Sequence, residues 1–295
     1  MISYNNQNLI NLFQLKKADT FRRLIPYILL VAGYAAVVCF VEVDYIKLPD
    51  NSPLKQLTIF HTLLGFVISM LLVFRTNTAY DRWWEGRRQW GTLNNNSRNL
   101  AIKLETLLPV EDTSSRTFFR KIIPLFAKAL RRHLHAETTR LELDTEPHPE
   151  IPSFDQNKHL PLQVAGAIMN KVQVLQRNGV FSGEQVLFLN TELQSFMEVC
   201  GACERIKNTP IPYSYSSFIK KFIFVYTTTL PLGLSFSLHY YVIPLVAMVF
   251  YVLGSLEMIA EEIEDPFGQD ENDLPLERIA TNIKKNVEDI ITVTV

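Results

Sequence analysis

Apolar residues gather into long blocks along this chain, and charged residues crowd into the intervals between them. A bilayer core of roughly 30 Å takes about 20 mostly apolar residues in a helix. Four blocks reach or approach that length, at residues 24–43, 57–74, 222–238 and 241–256. The last two are short and close together, with His239, Tyr240 and Tyr241 between them. That spacing predicts a tight helical hairpin with aromatic residues at the membrane interface.

The basic residues set a direction. Lys16, Lys17, Arg22 and Arg23 precede the first block, Arg75, Arg82, Arg87 and Arg88 follow the second, and Lys220 and Lys221 precede the third. The interval between blocks one and two holds Lys47 and Lys55 against Asp44 and Asp50, and the interval between three and four holds no Lys or Arg. Lys and Arg concentrate on the cytoplasmic side of membrane proteins, so both termini are expected there. A soluble protein with buried core helices is the alternative, and this charge bookkeeping disfavours it.

The long interval, residues 75–218, is expected to be cytoplasmic and helical. Trp83, Trp84, Trp90, Leu93, Leu100, Leu104 and Leu107 recur at helical spacing among charges, which extends the second block into one long helix. Residues 117–135 read as a second helix, 137–158 as a loop rich in Pro and acids, and 160–177 and 183–205 as two further amphipathic helices. Ser182 with Gln185 three residues on has the form of a capping box. The expected class is an all-α integral membrane protein of one domain, with four transmembrane helices, a cytoplasmic helical region and an acidic C-terminal segment over 257–295.

Composition adds mainly exclusions. A formal net charge of -1 gives no reason to expect a nucleic-acid partner. Residues 1–17 are polar and mixed, with neither the apolar core of a signal peptide nor the look of a transit peptide. A prokaryotic cytoplasmic membrane is the expected home. No P-loop, dinucleotide fingerprint, H-E-x-x-H or G-x-S-x-G is present, so no enzyme is expected. His133 and His135 fall on different faces of a helix, a poor metal pair. Cys200 and Cys203 lie one turn apart and could serve redox chemistry or half a zinc site; without a second ligand pair nearby they read better as buried structural thiols.

Two regions carry more. Phe66, Met70 and Phe74 share one stripe of the second block, with Gly65, Ser69 and Val73 on the neighbouring stripe, where small side chains permit close helix approach. Around a symmetry axis the Phe/Met/Phe stripe would form stacked apolar rings able to gate ions by dewetting. Spacing alone fits ordinary lipid or core packing better. After the fourth block, Glu257, Glu261, Glu262, Glu264 and Asp265 lead into Pro266-Phe267-Gly268, followed by Gln269, Asp270, Glu271, Asn272 and Asp273. So many oxygens could hold a hard divalent cation, although the spacing is not that of an EF-hand; a solvated acidic loop, or one paired with the basic residues near the membrane, is the plainer reading.

The segment 74–88, FRTNTAYDRWWEGRR, the segment 264–275, EDPFGQDENDLP, and the segment 203–212, CERIKNTPIP, together resemble the bestrophin family, and the last resembles its bacterial branch. The resemblance covers nearly the whole chain. It implies a homopentamer in the membrane lipid with one central pore for monovalent ions. It places Phe66, Met70 and Phe74 at a narrow apolar neck, where Met70 departs from the usual Ile or Phe. It places a second, cytosolic aperture near Ser182, at Glu184 or alternatively Val186; a ring of glutamates would attract cations. Animal members are calcium-activated anion channels, whereas bacterial relatives pass monovalent cations, so cation permeation is expected, with an anion channel as the alternative. The family's calcium clasp maps onto the side chains of Asp270 and Asp273, with carbonyls of Glu262 and Asp265 as helpers. Gln269 and Asn272 replace acids of the animal proteins, which should weaken calcium. Outside the channel class, a metal-dependent membrane enzyme using the acids of 257–273 and a membrane scaffold using 75–218 remain as alternatives.

Overall fold

The computed structural model describes residues 20–47, 56–135, 151, 154–155 and 158–293. The polar start at 1–17, Asp50 and Lys55, and most of the acidic, proline-rich stretch 137–158 lie outside the described residues. Those described are helical, without strands: α1 (Thr20–Cys39), α2 (Leu57–Leu107), α3 (Thr113–His135), α4 (Leu160–Arg177), α5 (Gly183–Asn208), α6 (Tyr213–Leu238), α7 (Val242–Glu264) and α8 (Leu276–Ile290). They divide into two compact units. The first holds residues 1–83, 210–265 and 270–273; the second holds 84–209, 266–269 and 274–295.

Among the described residues, three helical stretches are long and apolar enough to cross a membrane: Thr20–Tyr45, Leu57–Leu107 and Tyr213–Glu264. The third folds back on itself. His239 takes a positive φ of 46°, one short 3-10 turn spans His239–Tyr241, and α6 then packs along α7. α1 lies against both arms of this hairpin. Val31, Ala35, Cys39, Leu230, Val242 and Val246 form one apolar cluster; Ile68, Leu72, Ile219, Ile223 and Leu253 form a second, which seats α2 on the hairpin. Outward positions such as Leu29, Leu30, Leu63, Phe224 and Met248 remain exposed. A surface this apolar suits hydrocarbon rather than water.

The first block does not stop where its α-helix stops. Beyond Cys39 it continues as a wider π-helical turn, Phe40–Tyr45. There Glu42 is buried and accepts the hydroxyl proton of Ser235. Gly65, on the stripe of small residues, faces a side chain of α6. A Cβ there would stand 2.8 Å from the Tyr226 hydroxyl. The small residue thus makes room for a side chain of α6 in the same chain.

In the second unit, α2 continues without a break, for 51 residues in all. Trp90, Leu93, Leu100 and Leu104 are buried along one stripe, while Trp84 points outward. α3 packs against α4 and α8, and α4 against α5. α3 begins four residues before the expected start, because Asp112 accepts from the Ser115 N–H at 2.9 Å and caps it. α5 starts at the capping box: Ser182 Oγ accepts from Gln185 N–H at 3.2 Å, and Gln185 Oε1 accepts from Ser182 N–H at 2.8 Å. α8 had no counterpart in the sequence reading. Leu276, Ala280, Ile283 and Val287 make its buried face.

Cys200 and Cys203 are free and fully buried on α5. Burial first, then the nearby Glu204, pushes the Cys200 thiol up to about 12. Burial raises Cys203 as well. Both are therefore protonated structural thiols rather than a redox or zinc pair.

Candidate functional site: an outward stripe on α2 and an acidic clasp

Phe66, Met70 and Phe74 lie one turn apart on α2 and are 71%, 50% and 54% exposed. Their neighbours decide what that means. His61, Ile68, Leu72, Arg75 and Ala79 form the buried stripe of the same helix. At about 100° per residue the two stripes lie on roughly opposite sides of α2. The chain uses one side to seat the helix on α6 and α7. His61 binds the Leu57 carbonyl at 2.7 Å and the Thr229 hydroxyl at 3.0 Å, and Tyr215 donates to the Leu71 carbonyl at 3.2 Å. The Phe/Met/Phe side is turned away from the rest of its own unit.

Glu184 and Val186 sit in the first turn of α5, beside the capping box, with Glu184 exposed and Val186 half-buried. The box fixes where the helix begins and so fixes the position of both side chains.

The acids of the last turns of α7 are mostly engaged by bases. Arg75 is 1% exposed. Its Nη2 lies 2.7 Å from Glu264 Oε2, and its Nε lies 3.7 Å from Glu257 Oε2. Glu264 also accepts from the Ile211 N–H at 2.7 Å, which ties down the Pro210–Pro212 turn ahead of α6. Arg82 donates to the Glu264 carbonyl at 3.0 Å, and Trp83 Nε1 donates to the Asn272 carbonyl at 3.1 Å. Glu262 is held by Arg23 and by the Asn272 side-chain amide, and Lys220 meets Glu261 at 2.7 Å. In the sequence Arg75 and Arg82 served to set the direction of the spans. The sequence offered a loop paired with basic residues without saying which; the structure pairs it with Arg75, which falls on the stripe that Ile68 and Leu72 mark as buried.

Asp273 stands apart from these pairs. It is buried, its Oδ2 accepts from the Asp270 N–H at 2.5 Å, and its Oδ1 finds no hydrogen-bond donor. Burial pushes its carboxyl up to about 7, and the charges of Asp270, Asp265 and Glu262 add to the rise against the Asp270 N–H. Glu271 Oε2 is likewise buried without a donor. The Glu262 carbonyl has lost its helical partner, because residue 266 is a proline with no N–H. Oxygens left without protons to accept, in a field of negative charge, fit a hard divalent cation. Four of the expected oxygen sources (Glu262, Asp265, Asp270 and Asp273) thus lie on one short segment of the first unit.

In the second unit, Phe267 of the Pro-Phe-Gly turn is buried against Gly86 of α2. A Cβ on Gly86 would come within 3.1 Å of the Phe267 ring and 3.2 Å of Pro266. Gly86 in one quoted segment thus receives the aromatic ring of the other.

Long apolar helices with outward apolar faces define an α-helical protein of the membrane-spanning kind. The chain belongs to the bestrophin family, in its bacterial and fungal branch: the family described as Bacterial/Fungal Bestrophin protein matches residues 1–289. It is 34% identical over 256 residues to a voltage-dependent anion channel-forming protein of Nostoc sp., covering 84% of this chain and 81% of that one. It is 34% identical over 227 residues to the voltage-dependent anion channel-forming protein YneE of Escherichia coli, covering 76% and 73%. Its fold matches a single-substitution variant of a bacterial bestrophin homolog from Klebsiella pneumoniae with a TM-score of 0.80 at 27% identity, covering 91% of this chain and 98% of that one.

Proposed function

We propose that this chain is the subunit of a homopentameric channel that conducts monovalent ions passively across a prokaryotic cytoplasmic membrane. Four helices span the lipid, with both termini and residues 75–218 on the cytoplasmic side. α2 lines the pore. The observation that carries this reading is the outward Phe66/Met70/Phe74 stripe, opposite the face by which α2 is seated. Five such stripes around an axis form three apolar rings, which exclude water from a narrow passage and raise the barrier to an ion.

Glu184 at the head of α5 lines a second constriction, with Val186 as the neighbouring candidate. A ring of five exposed carboxylates attracts cations and repels anions, so the channel favours cations. Anion selectivity is the second reading, and the names of the Nostoc and Escherichia coli relatives favour it. The test is the reversal potential of the purified protein in a planar bilayer under a NaCl gradient. A value near the sodium equilibrium potential is expected, with Glu184→Gln moving it toward zero. A value near the chloride potential overturns the cation reading and leaves the channel standing. Absence of current in both the wild type and a neck-widened variant overturns the channel.

Asp270 and Asp273, with the carbonyls of Glu262 and Asp265, would hold a calcium ion, which would supply positive charge to a segment dense in carboxylates. Calcium sites use six to eight oxygens, and those that keep fewer charges bind more weakly. Calcium titration of the purified channel is expected to give a Kd of roughly 0.1–1 mM, abolished in Asp273→Asn. Submicromolar binding, or binding indifferent to Asp273, counts against this assignment.

A further inference from the structure

Away from the pore stripe and the clasp, three helices of the second unit bring two imidazoles and a carboxylate together. His133 lies in the last turn of α3, His159 caps the start of α4, and Glu204 lies on α5. Each imidazole Nε2 is 2.6 Å from the same atom, Glu204 Oε1. The two rings stand 4.3 Å apart between centroids, tilted by 44°. One donor atom from each of the three side chains lies within 4.8 Å of the others, and all three side chains are half-buried. Burial alone would raise the Glu204 carboxyl, but hydrogen bonds from His159 and His133 outweigh it and hold it below the usual range, so it is an anion at neutral pH.

We propose that His133, His159 and Glu204 form a binding site for a zinc-type divalent transition-metal ion, which links α3, α4 and α5. Two imidazole nitrogens and one carboxylate oxygen are the ligand set of borderline-soft cations, as distinct from the all-oxygen sets of calcium and magnesium. Zinc bonds both nitrogen and oxygen at about 2.0–2.1 Å, which puts tetrahedral donors about 3.3 Å apart. The two N···O distances therefore need to open by less than about 1 Å, and side-chain exposures of 33%, 33% and 28% leave room for that. The fourth position faces solvent and takes a water.

One contact opposes the ion. His159 Nδ1 accepts from the Leu162 N–H at 3.2 Å, so the ring proton sits on Nε2. A metal on Nε2 moves that proton to Nδ1 and gives up this long capping bond. The affinity falls accordingly, into the micromolar rather than the nanomolar range. The site does not depend on the channel reading, because it uses none of the proposed pore residues.

The test is zinc titration of untagged, chelator-stripped full-length protein by calorimetry, with cobalt absorption reporting the ligand geometry. One ion per chain is expected, with tetrahedral cobalt bands and a thermal midpoint raised by zinc. His133→Ala and His159→Asn should each weaken binding by about a hundredfold or more, since even an outer-shell partner is worth about 10–100-fold. His159→Asn is the decisive variant, because asparagine is itself a good N-cap and preserves the start of α4. Zinc binding that survives His159→Asn overturns the proposal. So does binding that follows Asp270→Asn/Asp273→Asn instead, or no binding at micromolar zinc.

Discussion

Replacing Phe66, Met70 and Phe74 together by alanine is expected to raise single-channel conductance by roughly an order of magnitude. The three side chains stand on the face of α2 that makes no contact with the buried stripe His61, Ile68, Leu72 and Arg75. Truncation therefore opens no cavity in the chain's own core, and the usual cost of a large-to-small core change does not apply. What the substitution changes is the space those side chains project into. In the proposed pentamer that is the neck, where three rings of large apolar groups become three rings of methyl groups, and water and ions enter. Met70 is the least rigid of the three rings, since an unbranched thioether has more rotamers than phenylalanine. Met70→Phe should accordingly lower conductance where the triple alanine raises it. The measurement is single-channel recording in a planar bilayer, paired with size-exclusion to verify that the oligomer is intact. Equal conductance in the triple alanine variant and the wild type, with an intact oligomer, would falsify the neck assignment and return the stripe to lipid contact.

How much of this could be read beforehand depends on the distance over which each signal acts. Local signals were legible. Blocks of apolar residues, the helical spacing of Trp90, Leu93, Leu100 and Leu104, and the Ser182–Gln185 box each need only neighbours in sequence, and each appears in the helices described. The Phe66/Met70/Phe74 stripe was legible as a stripe, but its direction was not. Only the burial of Ile68, Leu72 and Arg75 says which side of α2 faces out. α8 was legible in principle, since 276, 280, 283 and 287 are spaced as one helix face, but its periodic run is only fifteen residues long and directly follows a dense run of acids. The pairing of Arg75 with Glu264, residues 189 apart in sequence by subtraction of their numbers, had no local trace. Nor had the meeting of His133, His159 and Glu204, where the adjacent His135 was the more obvious partner on sequence alone. Those contacts are set by tertiary packing, and no period in the sequence encodes them.

The largest stability effect is expected at Arg75, which joins α2 to the end of α7. Its Nη2 bonds Glu264, whereas Nε and Nη1 have no hydrogen-bond acceptor, and both Glu257 oxygens have no donor. The network is thus held by charge more than by hydrogen bonds. Removing one member of a buried ion pair strands the others and costs about 3–5 kcal/mol. Arg75→Ala should lower the thermal midpoint in mild detergent by a large margin, because two carboxylates lose their cation. The measurement is the midpoint of thermal unfolding in mild detergent. If Arg75→Ala melts with the wild type, the Arg75 network does not fasten α2 to α7.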